Sequence, residues 1–302
     1  MIFKRQYLIL HIMTLSIVAI LMPQELSASS KGEAVSFNAA VTPPSPLRQR
    51  LAKKRGEVAK PFPPERLQGH LYKAEAGSPG VILVPSCLGK QSFHHDWAAT
   101  LNAWGYTALI LDSLGSRGLK QNCAGENQEG FQQAAGERVF DIYGAHSYLT
   151  DAAGVDPKRI AIMGWGYSGI LGAVLEGGAQ HMFEDRFAGV AAYYPPCWTA
   201  FTGRFVAPVL VMVGDQDDWT PQKACEKMVE SGKSGPSPVD LAIFPGAHHG
   251  FDNPGLSKKL YRPDVWNPSK EPTLGATLAY NKTASAQAQN QVKTFFQKRF
   301  KM

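Results

Sequence analysis

The chain has 302 residues, 44% hydrophobic and 19% charged, which is enough apolar material for one sizeable core and excludes a disordered chain. Its 29 glycines and 21 prolines follow no three-residue period, and no repeat of about 20 to 50 residues recurs, so collagen-like, solenoid and propeller architectures fall away. The formal net charge of +6 is uneven, with seven basic residues against two acidic ones between Pro46 and Arg66 and a nearly neutral remainder, which describes a solvated arm and no nucleic-acid partner.

The N-terminus has Lys4 and Arg5, an apolar run from Tyr7 to Met22, then Pro23 and the small residues Ser27-Ala28-Ser29-Ser30. That layout predicts a secretory signal peptide over 1–29, with an uncleaved membrane anchor as the alternative. Export to the periplasm or medium would place Cys87, Cys123, Cys197 and Cys225 in an oxidising compartment and imply two disulfides, for which three connectivities exist. Residues 30–60 are polar, basic and Pro-containing and predict a linker with one short helix over Leu47–Arg55. The folded domain is expected over 61–302. Buried strands are predicted at Val81–Val84, Tyr106–Leu111, Arg159–Met163, Gly189–Tyr194, Val206–Val213 and Leu241–Phe244. Helices are predicted at His95–Trp104, Gln128–Ala152, Ser168–Gly177, Pro221–Ser231 and Ala284–Phe300. Continuous apolar strands alternating with helices describe an α/β fold, a mostly parallel central sheet with helices on both faces. Ligands of such sheets bind at the carboxyl ends of the strands, so functional residues are sought just after them.

The strand ending at Met163 runs into Gly164-Trp165-Gly166-Tyr167-Ser168-Gly169-Ile170. This has the context of a nucleophile elbow, in which a serine sits in a strained strand-to-helix turn and the helix N-terminus favours an oxyanion. Gly169 stands one position before the usual glycine, at Ile170. The strand ending at Val213 continues into Asp215-Gln216-Asp217-Asp218, and the one ending at Phe244 into His248-His249-Gly250-Phe251. Ser, acid and His after successive strands is the triad order of α/β-hydrolases, in which His carries the proton and the acid fixes its tautomer. His94-His95 lacks the i, i+4 spacing of a metal pair, and no phosphate-cradling loop appears, so neither metal nor cofactor is expected. Arg138 and Asp141, three apart on a helix, suggest an ion pair.

These segments, with Trp104-Gly-Tyr106, Asp112-Ser-Leu-Gly-Ser-Arg117, Tyr194-Pro-Pro-Cys197 and Ala279-Tyr280-Asn281, resemble the dienelactone hydrolase family over about Leu67 to Phe300. By position in its motifs the resemblance implies Ser168 as nucleophile, Asp217 rather than Asp215 or Asp218 as the acid, and His249 as the base, with His248 as the alternative. Dienelactone hydrolase itself has a Cys nucleophile and a Glu in the loop after the early strand, where this chain has Pro85-Ser86-Cys87-Leu88. An oxyanion hole is expected from the amides of Cys87 or Leu88 and of Gly169. Arg117 matches one of two arginines that clamp a substrate carboxylate in the family; past His249 the second is missing and Asp252 adds an acid. Trp165 and Tyr167 are the other candidate substrate contacts, although Trp165 and Trp219 also suit packing. The expected disulfides are Cys87 with Cys123 and Cys197 with Cys225, since each pair joins loops at the carboxyl ends of strands. The expected activity is hydrolysis of a small carboxylic ester or lactone through an acyl-enzyme. A binding protein with a degenerate site, or a peptidase or acyltransferase on the same triad, are the alternatives.

Overall fold

A computed structural model describes residues 32–124 and 128–301, the side chains of 128–135 excepted; the expected signal segment lies outside these residues. Eight strands form one sheet: β1 (Glu33–Asn38), β2 (Arg66–Tyr72), β3 (Gly80–Val84), β4 (Thr107–Leu111), β5 (Ile160–Trp165), β6 (Val190–Tyr193), β7 (Val209–Gly214) and β8 (Val239–Phe244). Their spatial order is β1-β2-β4-β3-β5-β6-β7-β8, parallel from β4 to β8 and antiparallel at β1/β2 and β2/β4. The helices are α1 (Pro46–Lys54), α2 (Ser92–Ala103), α3 (Ser113–Ser116), α4 (Gln128–Asp151), α5 (Gln222–Gly232) and α6 (Lys282–Phe300). A hairpin of β9 (Leu260–Trp266) and β10 (Leu274–Leu278) stands apart from the sheet.

The central strands are buried on both faces, and their residues alternate between two cores. Ile82, Val84, Leu109 and Leu111 point to the side of α4 and α5, against Ile142, Leu149 and Met228. Val81, Leu83, Ala108 and Ile110 point to the side of α2 and α6, against Trp97, Leu101, Val292 and Phe296. All six expected buried strands are present, with ends shifted by up to three residues.

Two expectations need correction, and one hairpin adds to them. The stretch read as a linker holds β1, which pairs with β2 from Glu33↔Leu71 to Asn38↔Arg66 and buries Phe37; the short helix expected there is α1. β1 and β2 give no continuous apolar run, because each is only partly buried. The hairpin β9/β10 was missed for the same reason, its strand β9 being largely exposed. No α-helix follows Ser168. The chain there makes successive i, i+3 turns, Gly172 N to Gly169 O, Ala173 N to Ile170 O and Val174 N to Leu171 O. Gly169 takes φ +79° and Gly172 interrupts the segment that Gly177 and Gly178 close, so the glycines favour turns despite the helix formers between them, and a helix dipole aimed at the site is withdrawn.

Register sets the position of the functional loops. Val84 pairs with Gly164 and Gly214 with Phe244, so the loops leaving β3 and β5, and those leaving β7 and β8, start side by side.

Candidate active site

After β7 the chain turns through three aspartates, which the folded structure sorts by partner. Asp215 accepts from Gly246 N, and Asp218 accepts from Lys270 Nζ and from Thr277. Asp217 faces inward: Oδ1 accepts from Trp219 N at 2.9 Å and Thr220 N at 2.8 Å, while Oδ2 accepts from the Thr220 hydroxyl at 2.9 Å and lies 2.9 Å from His249 Nδ1. A carboxylate held by this many donors stays fixed and orients the imidazole so that Nε2 is left to accept a proton. Both side chains are buried. His248 turns outward onto Gln216 O at 2.9 Å.

The His249 ring is confined between Trp219, at 4.7 Å, and Tyr194, at 4.3 Å between centroids. Tyr194 follows β6 with φ +39°, a strained conformation for a bulky residue. Its hydroxyl donates to Asp252 Oδ1 at 2.7 Å, and Asp252 Oδ2 accepts from the indoles of Trp165 at 2.7 Å and Trp97 at 3.1 Å. Burial raises the Asp252 pKa, and these three donors oppose the rise. Asp252, read from the sequence as a charge near the substrate, is instead an enclosed anchor for the wall around His249. His94 lies edge-on to Trp165 on the same wall, its pKa pushed down to about 3 by burial.

Ser168 is not brought to His249. Its residue is 0% exposed, and its Oγ is enclosed with no hydrogen-bond partner among the described residues. It lies 2.9 Å from where a Cβ on Gly164 would stand. The residue aimed at the imidazole is Gly166, directly after β5, with φ +46°; a Cβ there would meet His249 Nε2 at 3.3 Å and Ser86 Cβ at 3.5 Å. In an elbow the apex residue takes a left-handed conformation, and the residues two before and two after it must be small because they approach each other. Gly164 and Ser168 meet in that way, so the apex is Gly166 and the serine is the small residue beyond it. The expectation of Ser168 as nucleophile is corrected on this geometry. The place of Ile170 was the available signal, since it left the motif one pair of residues out of step.

The loop after β3 flanks the apex. Leu88 N donates to Ser86 Oγ at 3.1 Å and so is already engaged, which removes Leu88 from the expected oxyanion donors. Gly169 is also withdrawn, because the residue after the apex is Tyr167. Cys87 remains a candidate donor in this loop, and its side chain is bonded to Cys123 with Cα atoms 5.2 Å apart. Cys197 is bonded to Cys225 with Cα atoms 4.9 Å apart, so both expected pairings are formed. Arg138 was the side chain most underestimated by sequence. Buried on α4, it donates to Pro85 O and Tyr167 O at 3.0 Å each and to Ser86 O at 3.4 Å, tying the β3 loop to the elbow. Burial lowers its pKa to about 10, so it stays charged at neutral pH.

Asp141 pairs with Arg117 at 2.8 and 3.0 Å, not with Arg138. Arg117 therefore faces a hollow lined by Thr42, Phe62 and Glu137, away from His249, and the expectation that it binds substrate is corrected. Tyr167 is likewise enclosed, between Trp198, Trp219 and Trp266. Trp165 does line the space in front of His249. That space is a cavity of about 170 Å³ whose walls include Ser86, Phe93, Trp165, His249, Leu256 and Leu278. Arg262 of β9 reaches its rim, with its guanidinium bound to Asp264 and Gln121.

The model of the dienelactone hydrolase family matches residues 67–300. The chain belongs to that family. A Bradyrhizobium protein described as a probable 2-oxo-3-(5-oxofuran-2-ylidene)propanoate lactonase is 26% identical over 204 residues, covering 63% of this chain and 80% of its own. Among solved structures, a dienelactone hydrolase-like promiscuous phosphotriesterase from metagenomic libraries superposes with a TM-score of 0.59 at 18% identity, covering 88% of this chain and 99% of that one. A thermophilic esterase from Thermogutta terrifontis gives 0.53 at 14% identity, with 77% and 87% covered. These likenesses establish the α/β-hydrolase fold, and family membership makes ester and lactone hydrolysis the chemistry of the frame.

Proposed function

We propose that the protein is an exported hydrolase of small, neutral carboxylic esters or lactones, with His249 carrying the proton. The observation that carries this is the Asp217–His249 pair, joined at 2.9 Å and buried, with His249 on the wall of a cavity of about 170 Å³. Nδ1 is committed to the carboxylate, so Nε2 accepts a proton from the attacking hydroxyl and returns it to the leaving group. The cavity has room for a short acyl chain, and its walls mix apolar side chains such as Phe93, Trp165 and Leu278 with polar ones such as Gln91 and Asn253. Its rim cation, Arg262, is already engaged by Asp264 and Gln121, so a substrate carboxylate would have to compete for it. Neutral esters are therefore preferred. Export is supported by the two disulfides, which persist in oxidising compartments.

The test compares kcat/KM for nitrophenyl acetate or butyrate with that for dienelactone, in wild type and in His249→Ala. Turnover lost in His249→Ala and higher for the neutral ester is expected; a clear preference for dienelactone would refute the substrate reading. A second reading, a binding protein on a hydrolase frame, is favoured by one observation, the glycine at the elbow apex. It predicts no turnover of either substrate by wild type.

A further inference from the structure

We infer that Ser86 is the nucleophile of this chain, having taken over from the elbow position that Gly166 leaves without a side chain. The inference rests on the hydrolase reading and extends it. Three observations meet at one point. A Cβ on Gly166 would stand 3.3 Å from His249 Nε2 and 3.5 Å from Ser86 Cβ, so the imidazole and the Ser86 side chain both border the place that a side chain at the apex would fill. Ser86 and His249 line the same cavity, whereas Ser168 is fully enclosed elsewhere. Ser86 Oγ accepts from Leu88 N at 3.1 Å, which fixes that oxygen and leaves its own proton free to pass to His249.

The backbone of Ser86 is held as a nucleophile requires. Its carbonyl accepts from Gly89 N at 3.0 Å and from Arg138, and the next residue, Cys87, is fixed by its disulfide. In the first half-reaction Ser86 Oγ bonds to the substrate carbonyl carbon as its proton moves to His249 Nε2. The carbon–oxygen bond to the leaving group then breaks, and that oxygen takes the proton from His249. In the second half-reaction a water molecule attacks the acyl carbon and gives a proton to His249; the bond from that carbon to Ser86 Oγ then breaks, releasing the carboxylic acid, as His249 returns the proton to Ser86 Oγ.

The experiment treats the full, disulfide-bonded chain with a fluorophosphonate probe and maps the labelled peptide, and separately traps the acyl-enzyme formed with nitrophenyl acetate by acid quench. Both readouts are expected to place the added mass on Ser86. Ser86→Ala should lose the label and at least a hundredfold in kcat/KM, while Ser168→Ala keeps both within about threefold. Gly166→Ser should acquire a second label at position 166, since the elbow then again presents a hydroxyl to His249. Label or acyl group on Ser168, or turnover that survives in Ser86→Ala, would overturn the assignment while leaving the hydrolase reading intact. Absence of ester turnover by wild type would overturn both. The wild-type mapping needs no variant, so a folding defect in Ser86→Ala does not blur the outcome.

Discussion

Two buried histidines, His249 on the cavity wall and His94 packed against Trp165, illustrate how surroundings divide identical side chains between tasks. His249 has a carboxylate on Nδ1 and an open Nε2, and it carries protons. Asp217→Asn removes the charge that stabilises the imidazolium and can leave the ring in the wrong tautomer, so kcat on a neutral ester should fall by about a thousandfold or more. His248→Ala, on the outer face, should stay within about twofold of wild type; steady-state kinetics on both variants decides it. His94 is enclosed and neutral, with a folded-state pKa of about 3 against 6.5 when exposed. Below pH 6.5 the unfolded chain binds a proton there that the folded chain refuses, so stability is lost as the pH falls from about 6.5 towards 3, at up to about 1.4 kcal/mol per unit. His94→Gln, which can retain the capping role at the start of α2, should lose about 2 to 3 kcal/mol less than wild type between pH 7 and 4.5, as measured by urea midpoints. Legibility at this scale was partial. Asp217 and His249 could be placed by their positions after strands, whereas Ser168 attracted attention because a hydroxyl is visible in a sequence and the direction of a glycine's missing Cβ is not.

At the scale of elements, what sequence disclosed followed burial on two sides. Strands such as β3 and β5 are buried throughout, so their runs stood out; β1, β2, β9 and β10 are each only partly buried and did not. The misread helix after the elbow shows a different limit, because apolar spacing there satisfied a helical period while the glycines permitted a chain of turns. β1 gives the clearest consequence. A chain starting at residue 61 would leave the edge of β2 unpaired and lose the burial of Phe37, lowering stability by about 2 to 4 kcal/mol and promoting aggregation, which thermal melts and light scattering would detect. The disulfides should separate likewise. Replacing Cys197 and Cys225 by Ala removes a 28-residue closure and should lower stability by about 3 kcal/mol with kcat on a neutral ester nearly unchanged. Replacing Cys87 and Cys123 should lower kcat as well, since that bond holds the loop beside His249.

For the whole molecule, the sheet order brings loops from six strands to one edge, and the hairpin of β9 and β10 closes over it with residues distant in sequence from the rest of the site. Pattern reading located the edge but not this cover, because no short-range signal ties Arg262 or Leu278 to His249. The tether formed by Arg138 has a further implication. Its charge lies inside the protein beside the carbonyls that frame the reacting space, where mobile ions do not enter. Screening acts on charges exposed to solvent and leaves an enclosed one nearly unattenuated. The Arg138 charge therefore acts on the β3 loop and the elbow as a fixed part of the folded structure. The kcat for a neutral ester should accordingly change little between about 50 mM and 1 M salt, whereas a site relying on surface cations would slow as counter-ions gathered around them.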